Sequence, residues 1–298
     1  MDSRSSFKLK TQLLTGNPTA NRQLPTVNFK PLIILALLLV VAATGEAQRR
    51  GGGRGGFSVR PAAPEDFDGS WQFCRVAFRQ NRNGDGGGWS VDYPRADINM
   101  SIRLSELTKT TVSFAGPDEP NHLVIRLTDP TLFQCPFIMM TEVGAAFIDD
   151  AEADALRDYL LKGGFLWADD FWGEWAWQTW AEQIGKALPP GQFPPKDLPN
   201  DHPLFRTIFD IGGGVPQIAS IGFWLGSGGG TSERYQESAQ ARARGIFDQQ
   251  GRLMVLMTHN TDIGDSWEEE ASNPQYFYEF STKGYAFGID AIVYGMTH

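Results

Sequence analysis

The segment Gly163-Gly-Phe-Leu-Trp-Ala-Asp-Asp170 decides the fold of this chain. A glycine pair opens it, a short apolar run follows, and two adjacent carboxylates, Asp169 and Asp170, end it. Residues 149–162, which lead into the glycines, have the apolar spacing of a helix. Helix, glycine turn, buried strand and polar tip follow one another in open α/β sheets, whose ligands bind at the carboxyl ends of the strands. The acid pair is therefore part of a binding site or the cap of a following helix.

Apolar runs typical of strands alternate with helical segments along the rest of the chain. The strand-like runs are residues 71–78, 122–127, 137–141 and 253–258, and a further apolar run covers residues 221–225. The helical segments are residues 97–108, 149–162, 174–187 and 289–296, of which the first also fits a strand. The six prolines of residues 189–203 exclude regular structure there. The alternation predicts an α/β fold in which a mostly parallel sheet is flanked by helices, in a single domain over residues 67–298.

Residues 1–47 have the layout of a secretory signal peptide. Lys30 precedes the apolar residues 31–44, and Gly45 and Ala47 stand at the −3 and −1 positions of a cleavage site. The run is shorter than the roughly 20 residues of a membrane span. We therefore expect export, most simply to the periplasm, with a membrane anchor through residues 31–44 as the alternative. The glycine- and arginine-rich residues that begin the segment 48–66 predict a flexible linker.

The charge of the chain limits its partners. The full chain has a net charge of −9, and removal of residues 1–47, with five basic and two acidic residues, gives −12. Such acidity argues against nucleic acid, whose phosphates it repels. A membrane contact is expected only through an uncleaved N-terminal segment. A small molecule, a cation or a component of the cell envelope is the expected partner.

Cysteines and familiar catalytic motifs give little guidance. Cys74 and Cys135 are the only cysteines, and both lie in apolar, strand-like runs. Export permits a disulfide between them, but two buried thiols fit the sequence equally well. The chain has no Gly-x-Ser-x-Gly elbow, no phosphate-binding loop with its lysine, and no closely spaced Cys/His set. A serine hydrolase, a nucleotide-binding loop and a structural zinc site are therefore unsupported.

Polar side chains follow three of the predicted strands. The strands end in turn at Glu142, at Asp169 and Asp170, and at His259, Asn260 and Asp262. Because parallel strands end at the same edge of a sheet, we expect these residues to line one ligand site. Crowded carboxylates repel one another unless a proton or a cation lies between them.

A divalent cation is accordingly the candidate cofactor, and Asp169, Asp170, His259 and Asp262 are its candidate ligands. Carboxylate oxygens suit calcium or magnesium, whereas an imidazole from His259 or His202 would admit zinc or manganese. Glu142 and His259 are the candidates for a general base. The alternative is structural, with Asp170 and Asp265 capping helices.

Two further residues are candidates for ligand binding. Arg103 lies in the same segment as Asp92 and Asp97, and we expect it to pair with one of them in a polar network beside the site. His202 ends the proline-rich stretch and either reaches over the sheet edge as a lid residue or lies at the surface.

Several of these segments together resemble a bacterial family, the domain-of-unknown-function family numbered 4159. The matching residues are Trp89, Asp92-Tyr93-Pro94, Ala96-Asp97, Arg103-Leu104, Glu106-Leu107-Thr108, Tyr159-Leu160, Gly163-Gly164-Phe165, Asp169-Asp170, His202-Pro203-Leu204-Phe205, Asp262-Ile263-Gly264-Asp265 and Tyr294 to His298. The resemblance implies a flavodoxin-like sandwich similar to that of class I glutamine amidotransferases. In that fold a nucleophilic cysteine follows a central strand and a histidine follows a late strand.

The chain departs from that pattern where the chemistry would occur. The turn at residues 141–144 has no cysteine, whereas His259 stands where the late histidine is expected. Amidotransferase chemistry needs the thiolate, so it is not expected here. We expect an exported ligand-binding or interaction protein. The alternative is a metal-assisted hydrolase that acts on a glycan or peptide of the cell envelope.

Overall fold

Strand β8, Phe165–Phe171, is the buried strand that the glycine-to-aspartate segment predicts, and all seven of its residues are buried. The computed structural model describes residues 61–298. The expected signal peptide or anchor, residues 1–47, and the expected linker up to residue 60 lie outside the described residues. The described residues 61–298 belong to one compact unit.

The strands of residues 61–298 are β1 Phe73–Val76, β2 Arg79–Gln80, β3 Phe114–Gly116, β4 Glu119–Pro120, β5 His122–Ile125, β6 Phe137–Thr141, β7 Ala146–Phe147, β8 Phe165–Phe171, β9 Lys196–Asp197, β10 Arg242–Phe247 and β11 Leu253–His259. Seven of them form one sheet, in the order β5-β1-β6-β8-β11-β10-β9. The first five strands in the sheet order run parallel to one another. At one edge, β10 pairs antiparallel with β11, and β9 pairs antiparallel with β10. The predicted α/β fold with a mostly parallel, flavodoxin-like sheet is confirmed.

Helices lie on both faces of this sheet. They are α1 Arg95–Leu107, α2 Asp150–Leu161, α3 Gly173–Ala187, α4 Ile221–Gly226, α5 Ile263–Glu268, α6 Pro274–Tyr276 and α7 Thr282–Thr297. A π-helical turn, Phe277–Ser281, joins α6 to α7. No helix within residues 61–298 is long and apolar enough to cross a membrane.

The alternation of side chains along β8 divides the core into two layers. Leu166 and Ala168 pack with the buried faces of α2 and α3. Phe165 and Trp167 pack with those of α1, α5 and α7. Because successive strand residues point to opposite faces, a strand segment that packs against apolar layers on both sides is apolar at consecutive positions. This is why residues 165–168 carry no polar side chain before the acid pair.

Local sequence signals account for the entry into β8. Asp149 caps α2 and forms a capping box with Glu152, so the helix begins where its first turn is acidic. The helix ends before Gly163, whose φ of 111° is open to glycine alone. A side chain at Gly164 would collide with the ring of Tyr159. The glycine pair therefore reverses the chain at a place where the backbone touches its own helix.

A disulfide joins Cys74 in β1 to Cys135, just before β6. The two residues are 61 positions apart in the sequence and both are buried. Of the two alternatives left open by the sequence, the structure has the disulfide. It links two strands that are neighbours in the sheet.

The structure differs from the sequence predictions at one place, and it decides two runs whose structure the sequence left open. The proline-rich residues 189–203 contain the two-residue strand β9, which pairs with β10 and extends the sheet. The apolar run at residues 221–225 is helix α4, which begins at its cap Ser220. Residues 97–108 are helical rather than extended, because Ala96, Met100 and Leu104 form one buried helix face.

Candidate functional site

The carboxyl edge of the sheet collects residues in an unusual backbone conformation. Glu142, Asp170 and Asn260 end β6, β8 and β11 with φ angles of 53°, 54° and 62°. Asp92, just before α1, has a φ of 62°. Non-glycine residues rarely occupy this left-handed region, and strained residues of this kind concentrate at functional sites. The neighbouring strands therefore all turn sharply at this edge.

A cavity of about 180 Å³ opens at these turns. Its lining residues are Asp85, Gly86, Val91, Asp92, Glu142, Asp170, Trp172, Ser220, Glu233, Arg234, Asp262 and Asp265. Seven of the twelve carry a carboxylate and one carries a guanidinium, so the wall of the cavity is strongly acidic. Arg234 donates both hydrogen bonds of its Nη2 to the Asp85 carboxylate, at 2.9 Å each, and is thereby engaged.

Three of these acids converge on one point. Oxygens of Asp92, Asp262 and Asp265 lie within 4.8 Å of one another, and all three residues are buried. Asp262 caps α5, since its Oδ1 accepts a hydrogen bond from the backbone N–H of Asp265 at 2.7 Å. Asp265 Oδ2 accepts from the Ile221 N–H at 2.7 Å and from the Tyr276 hydroxyl at 2.9 Å. Helix α5 and its contacts thus fix two of the three carboxylates.

Asp92 completes this triad from the other side of the cavity. Its side chain is 6 % exposed, and its Oδ2 has no hydrogen-bond partner among residues 61–298. A Cβ on Gly264, in the first turn of α5, would lie 2.5 Å from that oxygen. Gly264 is therefore the residue that lets the Asp92 carboxylate approach the helix.

Burial raises the pKa of five of the acids that line the cavity. The pKa values of Asp92, Asp170 and Asp262 lie well above the ordinary range, first because of burial and then because of repulsion from neighbouring carboxylates. The pKa of Asp265 rises to about 6 and that of Glu142 to about 7, again through burial first. The crowded carboxylates of the cavity are therefore stabilised by bound protons or by a cation.

Asp169 lies beneath the cavity and holds helix α5 in place. Its Oδ2 accepts from the backbone N–H groups of Ile263 and Gly264, at 3.0 and 3.1 Å, and its Oδ1 accepts from the Thr258 hydroxyl. Burial raises its pKa to about 7 despite these donors. Asp169 is fully buried, its hydrogen bonds run to helix α5 and to Thr258, and it does not line the cavity.

Asp170 faces the cavity, in contrast to its neighbour. Its Oδ1 accepts from Trp172 Nε1 at 2.8 Å, and Trp172 is the N-cap of α3 without any side-chain cap. The expectation that Asp170 caps the following helix does not hold. The acid that caps a helix at this edge is Asp262, in the turn between β11 and α5.

His259 and Asn260 are engaged in the fold beside the cavity. Arg244 Nη1 donates to His259 Nδ1 over 3.1 Å, so the ring carries its proton on Nε2 and donates it to the carbonyl of Gly173 at 2.9 Å. Burial lowers the pKa of His259 to about 4. Asn260 accepts from the Gly173 N–H and donates to the Gln240 carbonyl. Both ring nitrogens of His259 are thus hydrogen-bonded within the fold, and the residue does not line the cavity.

Two other expected site residues lie elsewhere. Arg103 does not pair with Asp92 or Asp97; it pairs with Glu106 and Glu270. Arg103 lies six positions after Asp97 on the helix, which is a net rotation of about 240° and puts the two side chains on different faces. Asp97 instead pairs with the buried Arg75 of β1.

His202 lies at the amino edge of the parallel strands, away from the cavity. Its ring contacts Tyr294 and Phe247, at centroid distances of 5.5 and 6.2 Å, and Phe247 pairs with Leu253 at the start of β11. Its Nδ1 accepts from the Leu204 N–H. It is therefore not a lid over the acidic cavity.

Several lining residues have no signal in the sequence that would mark them as site residues. Ser220 and Glu233 come from the region around α4, where the Ser220 N–H and hydroxyl both donate to Glu233 Oε1 at 2.8 Å. Asp85 comes from the glycine-rich loop at residues 81–88, where Gly86 lies directly against the Glu142 carboxylate. The glycines of that loop were the available hint, because close backbone approach requires them.

Comparison with known proteins identifies the family to which the chain is similar. A family described as a domain of unknown function (DUF4159) matches residues 72–296, which is most of the chain. Among curated proteins, none matches. The matched range includes every residue that lines the cavity.

Proposed function

The chain belongs to the DUF4159 family, and we propose that it is an exported ligand-binding protein whose site is the acidic cavity and whose ligand is a cation or carries a cationic group. The observation that carries the proposal is the lining of this cavity. Seven carboxylates surround about 180 Å³, and the one guanidinium among them is engaged by Asp85.

Electrostatics favours this assignment over a structural one. Carboxylates that leave water lose hydration, and crowding adds repulsion, so an empty acidic cavity destabilises the fold unless protons or a cation neutralise it. Ordinary helix capping needs one acid per helix end. Among the cavity-lining acids of the described residues, Asp262 is the one that caps helix α5. The remaining acids are better explained by a cationic ligand.

The disulfide and the N-terminal sequence support export. Disulfides persist in oxidising compartments such as the periplasm, and Cys74 is bonded to Cys135. Residues 1–47 read as a signal peptide. We expect N-terminal sequencing of protein from the periplasmic fraction to begin after Ala47. An intact N-terminus in the membrane fraction would favour the anchor instead.

Cation binding is testable by isothermal titration of the full-length protein. Spermidine is one probe, because its primary ammonium end fits a cavity of this size, and the chlorides of Mg²⁺, Ca²⁺ and Mn²⁺ are the others. We expect at least one of the four to bind, and Asp170→Asn to weaken that binding about tenfold or more. Asp154→Asn, which removes an exposed acid from α2, is the matched control and leaves binding unchanged. If none of the four probes binds the wild-type protein, the proposal fails.

Glu142 favours a second candidate function, metal-assisted hydrolysis of an envelope glycan or peptide. Its pKa of about 7 suits a general base at neutral pH, and it lines the same cavity as the acid triad. The test is release of soluble fragments from purified sacculi in the presence of Mg²⁺ or Mn²⁺. Hydrolysis by the wild type and its loss in Glu142→Gln would support the enzyme, whereas binding without turnover would leave the binding protein.

A further inference from the structure

We propose that Asp92, Asp262 and Asp265 form a binding site for one hard divalent metal ion, Ca²⁺, Mg²⁺ or Mn²⁺. This inference rests on the proposed function and deepens it, because it names the cation and its protein ligands. The ligands differ from the set that the sequence suggests, with only Asp262 in common.

The spacing of the three carboxylates fits a shared ion. Bonds from oxygen to these ions measure roughly 2.0–2.6 Å, so two oxygens on one ion lie no more than about 5 Å apart. Ligand oxygens of the triad lie within 4.8 Å of one another. Three unpaired carboxylates held this close are unfavourable without a positive charge between them.

The orphaned oxygen of Asp92 is a second and independent observation. A buried carboxylate oxygen normally accepts at least one hydrogen bond, and leaving it without a partner costs free energy. Asp92 Oδ2 has none among the described residues, although the side chain is more than nine-tenths buried and lines the cavity. Asp92 is also held in a strained left-handed conformation that directs it toward the triad. A bound ion would supply the missing partner.

The surroundings prepare the triad for metal binding. The Asp262 cap and the two donors to Asp265 fix both carboxylates before any ion arrives. Asp169 tethers the same helix by its first two N–H groups. Pre-organised ligands lose little conformational entropy when the ion binds, which favours affinity.

The ligand type selects a hard cation. No imidazole or thiolate is among the cavity-lining residues of the described chain, so oxygen is the only strong donor. Oxygen-only sites favour magnesium, calcium and manganese over zinc or copper. The cavity of about 180 Å³ is large enough to hold water molecules beside an ion. The ion therefore keeps coordination positions for water or for an oxygen of a larger ligand.

The experiment is a thermal-shift and titration series on full-length protein stripped with EDTA. We expect Ca²⁺, Mg²⁺ or Mn²⁺ to raise the Tm by about 5–10 °C at one hundred times its Kd. Asp92→Asn and Asp262→Asn are expected to lose this shift and to bind the ion at least tenfold more weakly. Asparagine keeps the cap at position 262, so that variant is expected to fold.

Asp290→Asn is the matched control. Asp290 is fully buried in α7 and its Oδ2 also lacks a partner, but it lies outside the cavity. This variant is expected to keep the full metal-induced shift. A higher Tm of metal-free Asp92→Asn than of metal-free wild type would show that the variant is folded, since one repelling charge is gone.

Each outcome decides between the two levels of the proposal. A shift that persists in Asp92→Asn and Asp262→Asn overturns the triad and moves the ion to another site, such as the half-buried acids Glu268 and Glu269 beside Asp265. Spermidine binding that Asp170→Asn weakens, with no effect of any divalent ion, overturns the metal site but keeps the cationic-ligand function. Absence of both overturns both.

Discussion

At the scale of single residues, the site depends on how closely the backbone lets acids approach one another. Asp92 reaches the triad because Gly264 has no side chain, and Glu142 reaches the cavity because Gly86 lies against its carboxylate. Asp169 and Asp170 are adjacent in sequence, yet one holds a helix and the other faces the cavity. Residue type alone does not separate these two roles.

Gly264→Ala tests the close approach at the triad. The added methyl would lie 2.5 Å from Asp92 Oδ2, so we expect a loss of about 1–3 kcal/mol in the free energy of unfolding together with weaker cation binding. Urea denaturation and titration measure the two effects. Gly222→Ala in α4 is the control, because nothing lies within 4 Å of its Cβ position, and it should be neutral or slightly stabilising. Equal effects of both changes would contradict the prediction.

His259 gives a prediction about protonation. Burial holds its pKa near 4, and Arg244 fixes the proton on Nε2. We expect ¹⁵N chemical shifts of the imidazole to report the neutral Nε2–H tautomer from pH 5.5 to 8, without a titration step. A midpoint near 6.5 would show that the ring is free and would restore His259 as a candidate base. The exposed, C-terminal His298 provides an internal comparison in the same spectra.

At the scale of elements, helix α5 connects the sheet to the site. Its first turn provides Asp262, Gly264 and Asp265, and its N–H groups bind Asp169 at the end of β8. The helix has only six residues, so its position depends on such contacts rather than on its own stability. The strand tip and the helix start therefore form one unit.

Asp169→Ala is expected to loosen that unit. The change leaves the N–H groups of Ile263 and Gly264 and the Thr258 hydroxyl without their acceptor. We expect a loss of about 2–4 kcal/mol in stability and weaker cation binding, although Asp169 does not line the cavity. Asp158→Ala, on the exposed face of α2, removes only a surface ion pair with Lys162 and should cost less than about 1 kcal/mol. Unchanged cation affinity in folded Asp169→Ala would refute its positioning role.

At the scale of the whole molecule, the sheet gathers distant parts of the chain at one edge. The acids of the cavity come from the loop before α1, from the ends of β6 and β8, from the region after α4 and from α5. Two apolar layers and the Cys74–Cys135 disulfide hold the strands that carry them. The packing of the whole domain therefore offsets the unfavourable free energy of the clustered acids.

The burial and mutual repulsion of these carboxylates predict that the stability of the metal-free protein in EDTA depends on pH. The pKa values of Glu142 and Asp169 rise to about 7 in the folded state from ordinary values of 4.5 and 3.8. Their stabilising effect is complete below the unfolded values and is lost as the pH rises through about 7, because the folded state holds protons that the unfolded chain has released. His259 is neutral in both states above pH 6.5 and adds nothing there. We therefore expect the Tm of metal-free protein to fall from pH 6.5 to about 7.5 and to level off at higher pH.

Glu142→Gln checks the source of this slope. It removes one of the titrating groups but keeps an oxygen that can accept a hydrogen bond, so the decline in Tm should become shallower. A saturating divalent cation should flatten it further, because the ion replaces the protons. A Tm that is constant or rises over this pH range in EDTA would contradict the assigned shifts.

The sequence by itself determined the fold class and the edge of the sheet that carries the site. A continuous apolar run between two glycines and two carboxylates marked β8, and apolar residues at helical spacing marked α2 and α3. The carboxyl ends of neighbouring parallel strands then had to bring Glu142, Asp170 and the segment of Asp262 together. These inferences use only local pattern and one rule of sheet geometry.

Only the tertiary structure decided which acids face the cavity. Asp92 and Asp265 join Asp262 in the triad, although about 170 residues separate Asp92 from the other two. His259 and Asn260 turn to hold helix α3, and Arg103 points to the far side of α1. The periodicity of the sequence fixes the face of a helix or strand from which a side chain projects. Which residues that side chain contacts depends on where the helices pack and on the left-handed turns at the strand ends. Contacts between distant segments set both, and a single sequence does not record them.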